Sequence, residues 1–188
     1  VRITLFIPNF YISSLITLLW MLAIINAFNL LDNMDGLTTG VGLIASFICF
    51  IVTSQQHQTF TSIALLAFAG ALLGFLRYNF NPAKIFLGDA GSMFIGYILA
   101  VLTITASYYK EGLPTHLPVV MPILILAVPI FDTFSVISIR IKRKEPIFGG
   151  DKNHFSHRLV ALGFSQRGAV LFIYLITFCL GITATLLT

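Results

Sequence analysis

Charged side chains are scarce in this sequence. Asp, Glu, Lys and Arg make up 10% of its 188 residues, whereas 57% are hydrophobic. Ordinary soluble domains carry about 25% charged residues, so this composition excludes a conventional water-soluble domain. Cysteine is equally rare: Cys49 and Cys179 are the only two, and both lie in apolar runs. We interpret them as small packing residues without a redox role.

Long apolar runs, separated by short polar breaks, make up most of the sequence. Their lengths are close to the roughly 20 residues that a helix needs to cross a membrane. Backbone groups find no hydrogen-bond partners in lipid, so such segments are expected to be helices. The sequence therefore predicts an all-α, polytopic transmembrane helix bundle that forms a single membrane domain over residues 1–188. About six spans are predicted: Phe10–Leu31, Thr38–Thr53, Phe60–Leu76, Ser92–Ser107, Pro118–Ile139 and Gly168–Leu187.

The basic residues are distributed unevenly between the polar breaks. Seven of the eleven Lys and Arg residues fall within residues 140–167, and two more fall within residues 77–91. The loops at residues 54–59 and 108–117 contain only Lys110. By the positive-inside rule, the basic breaks face the cytoplasm. The net charge of +4 therefore indicates membrane topology and predicts no nucleic-acid partner.

The first polar break, in the motif NAFNLLDNMDGL, combines carboxylates with amides. At about 100° per residue, the three Asn side chains of the motif, Asn29 among them, fall within about 60° of one another on a helix. Asp32 and Asp35 lie beside this stripe. Polar groups at the end of a span are costly unless they have partners, which favours a functional site. The alternative is that Asp35 or Thr38 simply caps the following helix.

The second motif, FLGDAGS, places Asp89 between Gly88 and Gly91 at the start of an apolar run. Glycines allow a backbone to approach a phosphate closely, and a helix N-terminus favours anions. A carboxylate there is a hard oxygen ligand suited to Mg²⁺. The alternative is that Asp89 or Ser92 is only the N-cap of the helix.

The third motif, GGDKNHFSHRL, contains His154 and His157 at a spacing that shares one face of a helix or turn. Histidine and arginine side chains beside phosphate oxygens stabilise the charge that develops in phosphoryl transfer. A zinc site is disfavoured because no cysteine accompanies the histidines and the nearby acids suit Mg²⁺ better.

Asp132 lies inside the fifth predicted span. A carboxylate within a membrane helix is a candidate functional residue, and the alternative is a structural pair with an interior Asn or Arg.

Taken together, the three motifs resemble those of the polyprenyl-phosphate N-acetylhexosamine-1-phosphate transferases, glycosyl transferase family 4, over residues 18–174. The segment HRLVALGFSQRGAV is nearer the undecaprenyl-phosphate GlcNAc-1-phosphate branch than the phospho-MurNAc-pentapeptide branch. The resemblance implies a Mg²⁺-dependent phosphotransferase that moves GlcNAc-1-phosphate from a UDP-N-acetylhexosamine to undecaprenyl phosphate and releases UMP. The transfer proceeds by direct attack or through a covalent Asp intermediate. This is the first membrane step of cell-wall or surface-glycan synthesis.

The resemblance also implies roles for individual residues. Asp32, Asp35, His154 and His157 match catalytic positions. Asp89 matches the metal ligand, for Mg²⁺ or alternatively Mn²⁺. The positions that match substrate-binding residues are Asn29, Asn79, Phe86, Gly88 and Arg158, and the ring of Phe86 is expected to stack on uracil. The resemblance implies a multi-pass protein of the bacterial cytoplasmic membrane, surrounded by membrane lipid, with its active site on the cytoplasmic face. It is compatible with a homodimer.

Two departures from the family pattern stand out. Ser156 occupies the place of the middle histidine in a His–x–His–His motif, which weakens one phosphate contact. No acidic residue precedes Asp32, whereas the family has paired Asp residues in an earlier cytoplasmic loop. We therefore expect an amino-terminally truncated chain, or one that has lost that half, which is inactive alone.

Three alternatives remain, and one of them is a catalytically inactive fragment or scaffold. A phospho-MurNAc-pentapeptide transferase shares the motifs. A secondary transporter would use Asp132 as its coupling carboxylate, but it predicts polar residues near the midplane rather than at the ends of spans.

Overall fold

Helices dominate the structure, a computed structural model that describes residues 9–108, 120–144, 146 and 153–187. Within these ranges there are eight helices and no strand. They are α1 Phe10–Leu31, α2 Leu37–Gln55, α3 Thr59–Asn79, α4 Gly88–Thr105, α5 Met121–Ile125, α6 Ala127–Arg143, α7 Phe155–Ala161 and α8 Gln166–Thr185. Five of them, α1 to α4 and α8, are long and apolar enough to cross a membrane. The predicted all-α membrane bundle is confirmed.

The fifth predicted span differs from the others because its helix is interrupted. Helix α5 ends at Ile125, and α6 begins at Ala127 after a turn at Leu126. Pro129 has no N–H to donate to the carbonyl of Ile125, and its ring would clash with that carbonyl in a continuous helix. The described part of the span predicted over Pro118–Ile139 therefore consists of two helices, α5 and α6, rather than one continuous helix.

Helix α2 forms the centre of the bundle. It packs chiefly against α3 and α8, and α1 packs against α4 and α6. Two-thirds of the apolar stretch of α2 is buried (67%), compared with 22% to 33% for the other candidate spans. Its buried side chains include Leu37, Val41, Ile48 and Val52.

Gly96 permits a close approach between α1 and α4. A Cβ atom at Gly96 would lie 2.8 Å from the Cα of Ile25 and 3.0 Å from the carbonyl oxygen of Ile24. Only glycine fits against backbone at this distance. One helical turn away, the same contact between α1 and α4 brings Asn29 beside Ser92.

The contact between Gly40 of α2 and Tyr174 of α8 provides a test of the packing. A methyl group at Gly40 would overlap the ring of Tyr174, whose hydroxyl donates a hydrogen bond to the carbonyl oxygen of Gly36. We expect Gly40→Ala to lower the free energy of unfolding by about 1–3 kcal/mol because of overpacking. Thermal unfolding in detergent measures the change.

Gly70→Ala is the matched control for this substitution. A Cβ atom at Gly70, inside α3, has nothing within 4 Å. There, alanine should stabilise the helix by about 0.5–1 kcal/mol. If Gly40→Ala is as stable as Gly70→Ala, the packing of α2 against α8 is not as described.

Several sequence predictions can be compared with this fold. Cys49 is buried as expected, but Cys179 is exposed on α8, so its interpretation as a buried packing residue is wrong. Arg140, assigned only to the positive-inside pattern, is buried and donates a hydrogen bond to the carbonyl oxygen of Pro146. The remaining acidic residues of the third motif region, Glu145 and Asp151, lie outside the described residues.

Candidate active site

The connection between α1 and α2 brings two carboxylates to one end of the bundle. Asp32 follows the last turn of α1, where its N–H donates to the carbonyl oxygen of Asn29. Gly36 then adopts a left-handed conformation with φ of 77°, which lets the chain turn into α2. Gly36 is itself the N-cap residue, and no side chain caps α2. The alternative that Asp35 or Thr38 is only a helix cap is therefore wrong.

Asp35 anchors the segment between α3 and α4. Its Oδ2 accepts hydrogen bonds from Nδ2 of Asn81 and from the backbone N–H of Ala83, each at 3.1 Å. These bonds join two connections that are far apart in sequence. The carboxylate thus fixes the path of the chain that leads to Phe86.

A cavity of about 240 Å³ lies against this junction. Four predicted site residues contribute to its wall, from the connections α1–α2 and α3–α4 and from the end of α3: Asp32, Asp35, Asn79 and Phe86. Asn33, Met34, Leu87 and Gln166 complete the lining. Phe86 is 77% exposed, so an apolar aromatic surface is available beside two carboxylates. This combination can hold an aromatic base next to a charged group.

Asp89 lies beside the cavity lining, in the first turn of α4. Nδ2 of Asn29 donates to Oδ1 of Asp89 at 3.2 Å and contacts Oγ of Ser92 at 3.1 Å. Gly88, with φ of 66°, begins the helix, and the N-cap is Leu87 without any side-chain cap. The alternative that Asp89 or Ser92 caps α4 is therefore wrong. Asp89 is exposed, with its carboxylate oriented by an amide from α1.

The electrostatics of Asp32 reflect its neighbours. Burial raises the pKa of Asp32 to about 6, and the negative charge of Asp89 adds to this increase, whereas the Thr38 hydroxyl opposes it. The carboxylates of half-buried Asp32 and exposed Asp89 repel each other and leave a local excess of negative charge. A cation between or beside them would remove this repulsion.

Asn79 contacts the protein through both ends of its amide. Its Oδ1 accepts a hydrogen bond from Oγ1 of Thr39 at 2.8 Å, and its Nδ2 donates to the carbonyl oxygen of Ile85 at 3.0 Å. The residue is buried at the end of α3. In this arrangement Asn79 supports the backbone next to Phe86. A direct contact with substrate stays a prediction.

The histidines of the third motif lie at the start of α7. His154 is buried, and its Nδ1 lies 2.7 Å from Oδ2 of Asp132. The rings of His154 and His157 are 6.4 Å apart between centroids, and Arg158 is exposed. Ser156 donates a hydrogen bond to Oδ1 of Asn33. This bond joins α7 to the connection between α1 and α2 that carries Asp32 and Asp35, called the acidic connection below. The partner of Asp132 is thus a histidine, and the predicted alternative of an interior Asn or Arg is wrong.

Three residues of the site region were missed at the sequence level. Nδ2 of Asn81 donates to Oε1 of Gln166 at 3.0 Å, and Nε of Arg167 donates to the carbonyl oxygen of Asn81 at 2.9 Å. Arg167 was interpreted only as part of the positive-inside pattern. A glutamine–arginine pair in the first turn of an apolar helix was the available signal, since polar groups there need partners.

The fold and the site define a class of protein: a polytopic helical membrane protein with carboxylates, amides and histidines gathered at one end of its bundle. The sequence profile of glycosyl transferase family 4 matches residues 2–107. The chain belongs to this family, as the motifs predicted.

Named relatives place the chain more closely within the family. It is 46% identical over 173 residues to a probable undecaprenyl-phosphate N-acetylglucosaminyl 1-phosphate transferase of Bacillus subtilis, covering 92% of this chain and 47% of that protein. It is 37% identical over 179 residues to a decaprenyl-phosphate N-acetylglucosaminephosphotransferase of Mycobacterium tuberculosis, covering 87% and 44%. A phospho-N-acetylmuramoyl-pentapeptide-transferase of Levilactobacillus brevis is 43% identical over 101 residues, covering only 52% and 31%. The chain spans about half the length of the first two relatives.

Proposed function

We propose that this chain carries the sugar-nucleotide side of an enzyme that transfers GlcNAc-1-phosphate from UDP-GlcNAc to undecaprenyl phosphate. The observation that carries the proposal is the cavity that Asp32, Asp35 and Phe86 line together, beside the Asn29–Asp89 pair. Relatives named for this reaction match most of the chain. The end of the bundle that holds the site is proposed to face the cytoplasm of a bacterial cell, where the basic breaks lie.

The reaction exchanges one phosphoanhydride bond for another. A phosphate oxygen of the lipid forms a bond to the β-phosphorus of UDP-GlcNAc. The bond from that phosphorus to the oxygen bridging the two phosphates breaks, and UMP leaves with the electron pair. Catalysis of such a transfer depends mainly on positioning and on neutralisation of charge.

The carboxylates fit a divalent cation by their chemistry. Asp89 is the proposed ligand, with Asp32 beside it; burial raises the pKa of Asp32, and the negative charge of Asp89 adds to this increase. The described residues include no group of three or more His, Cys, Asp and Glu that could hold a metal. Mg²⁺ does not need one, because it commonly takes one or two protein carboxylates and completes its shell with water and phosphate oxygens. When bound, Mg²⁺ or Mn²⁺ would neutralise charge on the diphosphate.

The other site residues have separate proposed tasks. Phe86 stacks on uracil, and Gly88 lets the backbone approach the phosphates because a Cβ at that position is absent. Asn29 holds the carboxylate of Asp89 in place. His157 and Arg158 donate hydrogen bonds to the oxygens of the diphosphate, and His154 lies near the diphosphate.

The transporter alternative loses its basis in this arrangement. It requires Asp132 as a coupling carboxylate, but both oxygens of Asp132 are engaged by the start of α7: Oδ1 accepts the N–H of Phe155, and Oδ2 lies 2.7 Å from Nδ1 of His154. The cavity lies instead at the end of the bundle.

The donor distinguishes the two transferase branches. We expect membranes containing the full-length protein to use UDP-GlcNAc and to be inhibited little by an excess of UDP-MurNAc-pentapeptide. A competition assay with both labelled donors measures this preference. Turnover of the peptide-bearing donor alone would assign the protein to the other branch.

The 188 residues are proposed not to catalyse transfer when expressed alone. The lipid phosphate must be positioned as well as the donor, and no carboxylate before Asp32 is available for that task. The test is to purify the chain in detergent and to supply Mg²⁺, UDP-GlcNAc and undecaprenyl phosphate. Formation of lipid-linked sugar at the rate of a full-length relative would show that the acceptor site lies within these residues.

A further inference from the structure

Asp132 is a carboxylate inside an apolar helix, and it is almost fully buried, with 2% of its surface exposed. Such a group is costly unless each of its oxygens has a partner. Both partners come from the start of α7: Oδ2 lies 2.7 Å from Nδ1 of His154, and Oδ1 accepts the N–H of Phe155 at 2.7 Å. A single side chain of α6 thereby holds two consecutive residues of the third motif.

The second of these bonds substitutes for a missing helix cap. His154 is the N-cap residue of α7, and no side chain of its own segment caps the helix. The first N–H groups of a helix have no partners within it, and Phe155 contributes one of them. Asp132 satisfies this group from another helix, and the rings of Phe131 and Phe155 pack edge to face at 5.9 Å beside it.

The first bond determines the protonation of the histidine ring. An ionised carboxylate only accepts hydrogen bonds, so Nδ1 of His154 must carry the proton that it shares with Asp132. His154 is therefore fixed in one orientation, and Nε2 is the nitrogen that can act on a substrate.

A separate contact links the start of α7, which Asp132 holds, to the cavity. Ser156, next to these residues on α7, donates to Asn33, which lines the cavity between Asp32 and Asp35. We propose that Asp132 is a positioning residue of the transferase: it sets the tautomer of His154 and holds α7 against the acidic connection. This inference rests on the proposed function, since His154 is assigned there to the diphosphate.

The test uses the full-length protein in lipid nanodiscs and two independent readouts. In the first, ¹⁵N NMR of histidine-labelled protein, with the signal assigned by comparison with His154→Gln, should show a protonated Nδ1 in the wild type. In Asp132→Asn, the amide can turn its N–H toward Nδ1 of His154. The tautomer protonated on Nε2 should then replace the tautomer protonated on Nδ1. A wild-type His154 with an unprotonated Nδ1 would overturn the inference, whatever substrate the enzyme uses.

The second readout is a double-mutant cycle on kcat. We expect Asp132→Asn to lower kcat about 10- to 100-fold, as loss of a partner that orients a functional ligand commonly does. The same substitution should have little effect in a His154→Ala background, because the two residues act as a unit. Thr133→Val on the same helix is the control and should retain activity.

An equal loss of kcat in both backgrounds would mean that Asp132 acts only on the fold, which contradicts the inference. Failure of the proposed function is a distinct outcome: the wild type would then make no lipid-linked sugar from UDP-GlcNAc, while the NMR result would stand.

Discussion

Asp89→Asn is expected to lower the exchange of labelled UMP into UDP-GlcNAc by about 100- to 1,000-fold, the usual effect of losing one group that stabilises charge in the transition state. Asparagine keeps the shape of the side chain and can still pair with Asn29, which donates to Oδ1 of Asp89 in the structure. The substitution removes the negative charge that the proposed metal ligand supplies. The exchange assay should be carried out on the full-length enzyme at limiting Mg²⁺.

The matched control for this loss is Glu111→Gln. Glu111 lies outside the described residues, in a loop that the basic-residue pattern places on the opposite side of the membrane. Glu111→Gln makes the same chemical change from carboxylate to amide. We expect the exchange of UMP into UDP-GlcNAc to stay within about twofold of the wild type. Near-normal exchange in Asp89→Asn at limiting Mg²⁺ would remove Asp89 from the metal site.

Asp32→Asn is expected to change activity and stability in opposite directions. Loss of a carboxylate that helps to hold the proposed cation or orients the reacting groups should reduce kcat by about 100-fold or more. The pKa of Asp32 is raised in the folded protein from 3.8 to about 6, by burial and by the charge of Asp89. The folded state therefore binds this proton more tightly than the unfolded state does.

The pH dependence of stability follows from the direction of this pKa shift. The free energy of unfolding should fall as pH rises from about 4 to about 6, where the folded carboxyl ionises, and it should stay lower above that range. At neutral pH, Asp32→Asn removes this cost, which is about 1 kcal/mol after allowance for solvent screening. The apparent Tm without metal should rise by about 2–4 °C.

Asp35→Asn is the matched comparison for stability. Asp35 accepts hydrogen bonds from Asn81 and Ala83 through one oxygen, so its charge is compensated. We expect its amide variant to be no more stable than the wild type. If Asp32→Asn lowers Tm as much as Asp35→Asn does, Asp32 is a structural residue rather than a strained functional one.

The sequence was sufficient to predict the features that depend on short stretches of chain. Helix α1 was predicted from Phe10 to Leu31 and has those bounds, because an uninterrupted apolar run in lipid has no alternative to a helix. Pro129 was the visible signal for the interruption after α5, and it was not used. Its effect lies four residues earlier, at the carbonyl of Ile125, where the sequence itself looks favourable for a helix.

The contacts that build the site were beyond this reasoning because they join distant parts of the chain. Helical spacing placed Asn29 near Asp32 but could not show that its amide donates to Asp89, 60 residues away. Ser156 was treated as a lost histidine, whereas its hydroxyl reaches Asn33, 123 residues away. Such pairings are determined by how α1, α4 and α7 pack, which the local pattern does not specify.

The proposed transfer of an intact sugar phosphate can be measured with one doubly labelled donor. UDP-GlcNAc carrying ³²P in the β-phosphate and ¹⁴C in the sugar is incubated with the full-length enzyme, Mg²⁺ and undecaprenyl phosphate, and the lipid product is extracted. If GlcNAc-1-phosphate moves as a unit, both labels enter the lipid in equal amounts and UMP is released. If ¹⁴C enters the lipid without ³²P and UDP is released, the enzyme transfers the sugar alone, and the proposed phosphotransferase function is contradicted.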